Sequence, residues 1–227
     1  MIRTIMFDLD GTLAETEPLH YVGFNEALRP EGVEIPREEY FTRLIGFNDR
    51  DCFATVLKEN GKDASVARIE MLTARKAGIY QDMIRNRDVM YPGAADFVRQ
   101  CAARFPLMVV TGTLRAEAEM ILRRAGLRDL FVDVVAAEDV ERGKPEPDGF
   151  IAALGRLGFL LRQRDAIEPA QSLVIEDTPA GIEAALRAGM RVLALRHTAP
   201  EADLARADLV RDSLQATDLD EILRRLA

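Results

Sequence analysis

The sequence predicts an α/β fold: a doubly wound parallel sheet with a small all-helical unit inserted after the first strand. Three observations carry this. Apolar runs recur at 5–7, 107–110, 173–175 and 192–195, with a fifth candidate at 131–136. They are continuous rather than alternating, which is the pattern of strands buried on both faces. Helical patterning lies between the later runs, at 94–104, 115–125, 148–157 and 179–188, so strand and helix alternate as they do around a parallel sheet. Finally, the stretch 15–89 shows no strand but has helical patterning at 18–28, 50–59 and 66–84. That is too long for a simple crossover, since a whole βαβ unit takes about 30 residues.

Each element has its own local reason. Ile5-Met6-Phe7 is short, wholly apolar and stopped by Asp8. The helical insert closes at Tyr91-Pro92-Gly93, a turn sequence that returns the chain to the sheet. The division expected is a core of residues 1–14 and 90–227 with a cap of residues 15–89. Leu107-Met108-Val109-Val110 ends in Thr111-Gly112, and Leu173-Val174-Ile175 ends in Glu176-Asp177. The helix at 179–188 is the best punctuated: Thr178 suits its cap, Pro179 its first turn and Gly189 its end.

A chain of 227 residues can bury a large core without staples. The formal net charge of −8 argues against nucleic acid or an anionic membrane as partner. No basic start with a long apolar run precedes Asp8, and no later run reaches membrane-spanning length, so neither a signal peptide nor a span is expected. Cys52 and Cys101 share no metal or redox spacing and read as reduced thiols of a cytoplasmic protein. A monomer is expected.

Three strands end abruptly in polar residues, and in open α/β sheets the ligand crevice lies at the carboxyl ends of strands. Asp8, Asp10, Glu176 and Asp177 should therefore converge. Asp8 and Asp10, two apart, share a face if the strand continues. Carboxylates in one crevice repel unless a cation compensates, and four oxygen-ligand groups suit magnesium, which binds through few carboxylates plus substrate phosphate. One carboxylate can attack phosphorus, and its neighbour can move the proton. Lys144, one of only four lysines, sits in Gly143-Lys144-Pro145-Glu146-Pro147, where an ammonium could hold phosphate and the nucleophile. Thr111 and the Gly112 amide could take another phosphate oxygen. Singly, each has a plainer reading: turn aspartates, a solvated lysine, a strand-ending turn.

Together the residues resemble the haloacid dehalogenase superfamily, in the branch with a small helical cap. Asp8-Leu9-Asp10-Gly11-Thr12-Leu13, Thr111-Gly112, Lys144-Pro145 and Glu176-Asp177-Thr178-Pro179 match its four motifs in order. The resemblance implies a Rossmann-like core, Asp8 as nucleophile and metal ligand, and Asp10 as general acid/base whose carbonyl also binds metal. It implies phosphate binding by Thr111, Gly112 and Lys144, and Mg2+ held by Asp8, Asp10, Asp177 and, directly or through water, Glu176. The expected activity is a phosphatase acting on a small phosphorylated metabolite, a sugar phosphate or a phosphoglycolate-like ester, through an aspartyl-phosphate. Residues 12–20 resemble the sugar-phosphate-directed branch, in which His20 and Lys76 match cap positions facing the site. The alternatives are a phosphomutase of the β-phosphoglucomutase kind and an idle binding module. Asp49 and Leu114-Arg115 depart from the mutase pattern and favour the phosphatase. His197 reads as a loop residue without a role.

Overall fold

The computed structural model describes residues 1–160 and 166–226; of the expected core, residues 161–165 and 227 lie outside them. Six strands form one sheet: β1 (Thr4–Phe7), β2 (Leu107–Val110), β3 (Phe131–Val135), β4 (Ser172–Glu176), β5 (Arg191–Leu195) and β6 (Leu209–Arg211). All neighbours are parallel and the order is β3-β2-β1-β4-β5-β6. β6, three residues long, carries too short an apolar run to stand out in the sequence.

The helices are α1 (Glu17–Leu28), α2 (Arg37–Glu39), α3 (Asp49–Glu59), α4 (Val66–Ile84), α5 (Ala94–Ala102), α6 (Arg115–Arg124), α7 (Asp148–Leu160), α8 (Pro179–Arg187), α9 (Glu201–Leu204) and α10 (Leu219–Arg225). Alternate residues of each strand feed opposite faces. Ile5, Phe7, Leu107, Val109, Leu173 and Ile175 pack with Phe97, Leu122 and Ile222 of α5, α6 and α10. Met6, Met108, Val110, Val174 and Val192 pack with Phe150 of α7 and Ile182 of α8. Burial on both faces is why these strands read as unbroken apolar runs.

α1 to α4 form the helical cap and have a hydrophobic cluster of their own, around Phe24, Leu28, Ile35, Tyr40, Phe53, Leu57 and Leu72. Two caps are side-chain made: Asn48 accepts from the Asp51 amide at 2.9 Å, and Ser65 accepts from that of Arg68 at 3.4 Å. A π-helical turn at Tyr40–Leu44 follows α2, in a stretch the sequence reading left without structure. The chain passes between cap and core on two adjacent strands of backbone, joined by Glu15 N–H to Val89 O at 2.7 Å and Tyr91 N–H to Leu13 O at 2.9 Å.

The strand order reverses between β1 and β4, the topological switch point that opens a crevice at the carboxyl end of such sheets. Phe7 pairs with Val109 on one side and Ile175 on the other. The residues just after β1, β2 and β4 therefore emerge side by side.

Candidate active site

β1 stops at Phe7, as the apolar run does, and a tight turn follows, so the strand does not continue through Asp10: Gly11 N–H bonds Ala14 O, and Leu13 N–H bonds Leu9 O. Gly11 takes a φ of 80°, and a Cβ there would lie 2.1 Å from Asp177 Oδ2, so the turn needs glycine at this place. The turn still brings Asp8 and Asp10 to one cavity, which Gly112, Lys144 and Glu176 also line.

Lys144 ties the site together. Its ammonium donates to Asp8 Oδ1, to Glu176 Oε1 at 2.6 Å and to the Val110 carbonyl at 3.2 Å. Burial opposes the charged lysine, but Asp8 and Glu176 outweigh it and hold Lys144 firmly protonated. Burial pushes the Asp8 carboxyl well up; Lys144 opposes this, while Glu176, Asp177 and Asp10 add to it. The other Glu176 oxygen, Oε2, accepts from the Asp177 amide at 2.8 Å and from the Thr178 amide and hydroxyl at 3.0 Å. Glu176 is thus turned toward the base of α8, where the Thr178 hydroxyl in turn caps the Gly181 amide at 3.1 Å. A Cβ on Gly181 would lie 1.8 Å from Glu176 Oε1.

Asp10 is held by four side chains. Thr16 donates to Oδ1 at 2.6 Å, His20 Nε2 lies 3.2 Å from the same oxygen, Thr111 donates to Oδ2 at 3.2 Å, and Thr113 donates to Oδ2. Burial works against the ionised form, but His20 beside it and the hydroxyls of Thr113 and Thr16 prevail, holding this carboxyl well below the usual carboxylate range. Lys76 donates to His20 Nδ1 at 2.7 Å. An ammonium can only donate, so Nδ1 accepts and the ring proton sits on Nε2, facing Asp10. The two residues matched from sequence to cap positions facing the site therefore reach Asp10 as a chain, Lys76 to His20 to Asp10. Lys76 itself is fully buried and does not line the cavity.

Asp177 is fixed by hydroxyls: Thr12 donates to Oδ1 at 2.7 Å and Thr198 to Oδ2 at 2.6 Å. Burial and the neighbouring Glu176 push its carboxyl well up despite them. His197 has a place after all: its Nδ1–H donates to the Gly11 carbonyl at 2.7 Å, and its ring stacks on Tyr91 at 4.0 Å. Thr12, Thr16, Thr113, Thr198, Glu17 and Tyr40 are site residues that sequence reasoning missed, while Asp49, noted there as a departure from the mutase pattern, lines the cavity. The run of threonines beside the acidic motifs was the available signal for the first three.

Among the described residues, no three His, Cys, Asp or Glu side chains stand together in a ready metal shell. The donor chemistry nevertheless fits a hard divalent cation. Asp8 and Asp177 are buried carboxylates whose charge the surroundings disfavour, and oxygen donors of this kind are what magnesium takes.

The family model of haloacid dehalogenase-like hydrolases matches residues 2–189, and the chain belongs to that family. Protein CbbY of Rhodobacter capsulatus is 32% identical over 201 residues, covering 85% of this chain and 84% of that one. Fructose-1-phosphate phosphatase YqaB of Escherichia coli (strain K12) is 31% identical over 192 residues, covering 85% and 95%. The solved structure of a β-phosphoglucomutase from Clostridium difficile superposes with a TM-score of 0.86 over 100% of this chain and 97% of that one, at 22% identity, which speaks to the fold. No helix among the described residues is long and apolar enough to cross a membrane.

Proposed function

We propose that this chain is a magnesium-dependent phosphatase that hydrolyses a small phosphorylated metabolite, a sugar phosphate or phosphoglycolate-like ester, through an aspartyl-phosphate on Asp8. The observation that carries the reading is the Lys144 ammonium bridging Asp8 and Glu176 in a cavity that Asp10 also lines. Relatives that are phosphatases of the same hydrolase family support it.

In this reading Asp8 attacks phosphorus. A bond forms from its carboxylate oxygen, the ester P–O bond breaks, and the leaving oxygen takes a proton from Asp10, whose carboxyl is ionised in the free site and takes up that proton as the anionic phosphate ester enters beside it. Asp10 then takes a proton from water as that water attacks the phosphoryl group, and the Asp8–phosphate bond breaks to release inorganic phosphate. Lys144 holds Asp8 in place and faces the phosphate; the Gly112 amide lines the phosphate cradle, and Thr111, whose hydroxyl donates to Asp10 in the free site, would have to turn from Asp10 to join it. Asp8, Asp177 and the Asp10 carbonyl would hold magnesium, with Glu176 acting through water. Magnesium, when bound, screens the negative charge between carboxylate and phosphate. His20, aimed at Asp10, orients that carboxyl, and residues 15–89 act as the cap that closes over the substrate. Cytoplasmic location and a monomeric state belong to the same proposal.

Hydrolysis is favoured over the mutase alternative because neither nearby arginine lines the cavity. Arg50 is exposed and, with Leu114, lines a neighbouring surface hollow that meets the cavity at Asp49. Arg115 is occupied by the Val134 carbonyl at 2.8 Å and by Asp139. The test is phosphate release from p-nitrophenyl phosphate and sugar phosphates with magnesium. Asp8→Asn keeps the shape but cannot attack phosphorus, so turnover should vanish while circular dichroism stays unchanged. Undiminished turnover in the pure variant would remove Asp8 as nucleophile.

A further inference from the structure

The cap side of the cavity combines the aromatic rings of Phe24, Tyr40 and Phe47 with two carboxylates. Glu17 and Asp49 line it, and Tyr40 beside them spends its hydroxyl proton on Glu17 Oε2 at 2.7 Å. The cap cation close by, Lys76, is consumed internally. Its ammonium donates to Asp49 Oδ1 and His20 Nδ1 and lies 4.6 Å from the Phe24 ring centroid. Asp49 is only 7% exposed, and its second oxygen, Oδ2, is buried with no hydrogen-bond partner among the described residues. An acceptor buried and unpaired is costly to the protein unless a ligand completes it. Apart from Lys144 at the phosphate end, no lysine or arginine among the described residues lines this cavity.

We propose that Asp49 makes the site selective for phosphate monoesters whose far end carries hydroxyl or ammonium donors and no second anion. The proposal rests on the phosphatase reading and narrows it. A second phosphate or a carboxylate at the far end would lie against Glu17 and Asp49 without a cation to receive it, and like charges brought together across an interface reject a ligand strongly. A hydroxyl or an ammonium, by contrast, gives Asp49 Oδ2 the donor it lacks. Sugar and amino-sugar monophosphates are therefore the fitting class. Sugar bisphosphates and phosphoglycolate are not, although both are small phosphate esters.

The test compares kcat/KM with magnesium on a hexose monophosphate, the matching amino-hexose monophosphate, a hexose bisphosphate and phosphoglycolate, with p-nitrophenyl phosphate as reference. The two monophosphates should exceed the bisphosphate and phosphoglycolate by about tenfold or more, the scale of one unfavourable charge contact. Asp49→Asn keeps the shape and the bond to Lys76 but removes the charge, and should shrink that ratio toward one. A wild-type preference for the bisphosphate or phosphoglycolate, or an unchanged ratio in Asp49→Asn, would overturn the proposal. Should that variant not fold, inhibition of wild-type p-nitrophenyl phosphate turnover by the same four esters gives the same ranking or refutes it. Should none of the five esters release phosphate, the phosphatase reading falls by itself, and calorimetric binding of the four metabolite esters decides the selectivity.

Discussion

Glu117 lies in the first turn of α6, fully buried, with neither carboxyl oxygen partnered among the described residues. α6 packs against α4 of the cap, so this carboxyl sits where cap meets core. Burial pushes it from 4.5 up to about 7; Lys76 opposes the rise and Asp49 adds to it. Above pH 4.5 the unfolded chain has released this proton while the folded protein still holds it. The folded state then binds more protons, so stability falls as pH rises, until about pH 7, where both forms are ionised and the loss is complete. The gap between 4.5 and about 7 corresponds to roughly 3 kcal/mol at ~1.4 kcal/mol per pH unit. Glu117→Gln removes the titration and keeps the shape. Any cost of burying the amide is the same at every pH and cancels from the slope. Thermal unfolding of both proteins from pH 4.5 to 7.5 should show the wild type losing roughly 6–12 °C relative to the variant, at ~2–4 °C per kcal/mol for a chain of this size. Parallel curves would refute the reasoning and mean that Glu117 ionises as an ordinary surface carboxyl does.

Three further outcomes are expected. Turnover should disappear in excess chelator and return with magnesium, while calcium, with its larger and looser shell, should inhibit; full activity in chelator would remove the metal assignment. His20→Ala should slow p-nitrophenyl phosphate as well as sugar phosphates by about tenfold or more, the scale of one hydrogen bond to a charged group, because His20 reaches Asp10 as well as the cavity; a loss confined to the sugar phosphates would restrict it to substrate contact. Gly181→Ala should cost about 3 kcal/mol in urea unfolding, since the new methyl meets the Glu176 carboxylate that Lys144 holds; an unchanged midpoint would show that Glu176 moves freely.

What the sequence made legible was whatever short-range pattern dictates. The strands announced themselves because both of their faces are buried, and the motif residues because they stop those strands at one end of the sheet. Thr178, Pro179 and Gly189 punctuate α8 through local backbone rules and were readable for that reason: the Thr178 cap forms, and Gly189 takes a φ of 78°. The cap was legible only as helices. Its polar interior is made by pairs distant in sequence, Lys76 with Asp49 and Tyr40 with Glu17, and no periodicity specifies which helix faces meet. The π-helical turn and β6 escaped because each is too short for a pattern to establish itself.

The arrangement of charges also explains why the reaction proposed here calls for a metal. Lys144 serves Asp8 and Glu176, and Lys76 serves Asp49. Asp10 draws on His20 and three hydroxyls. Among the described residues, the side chains that donate to Asp177 are the hydroxyls of Thr12 and Thr198, and they leave its carboxyl well above the usual range. An incoming phosphate ester brings further negative charge to the same end of the sheet, where Lys144 is already shared between two carboxylates. Neutral donors can orient Asp177 but cannot balance its charge together with that of Asp8 and phosphate. Asp8 and Asp177 would hold a divalent cation, which would supply the missing positive charge beside the nucleophile. Thr12 and Thr198 fix the orientation of Asp177 through its two oxygens, as outer hydrogen bonds would orient a metal ligand.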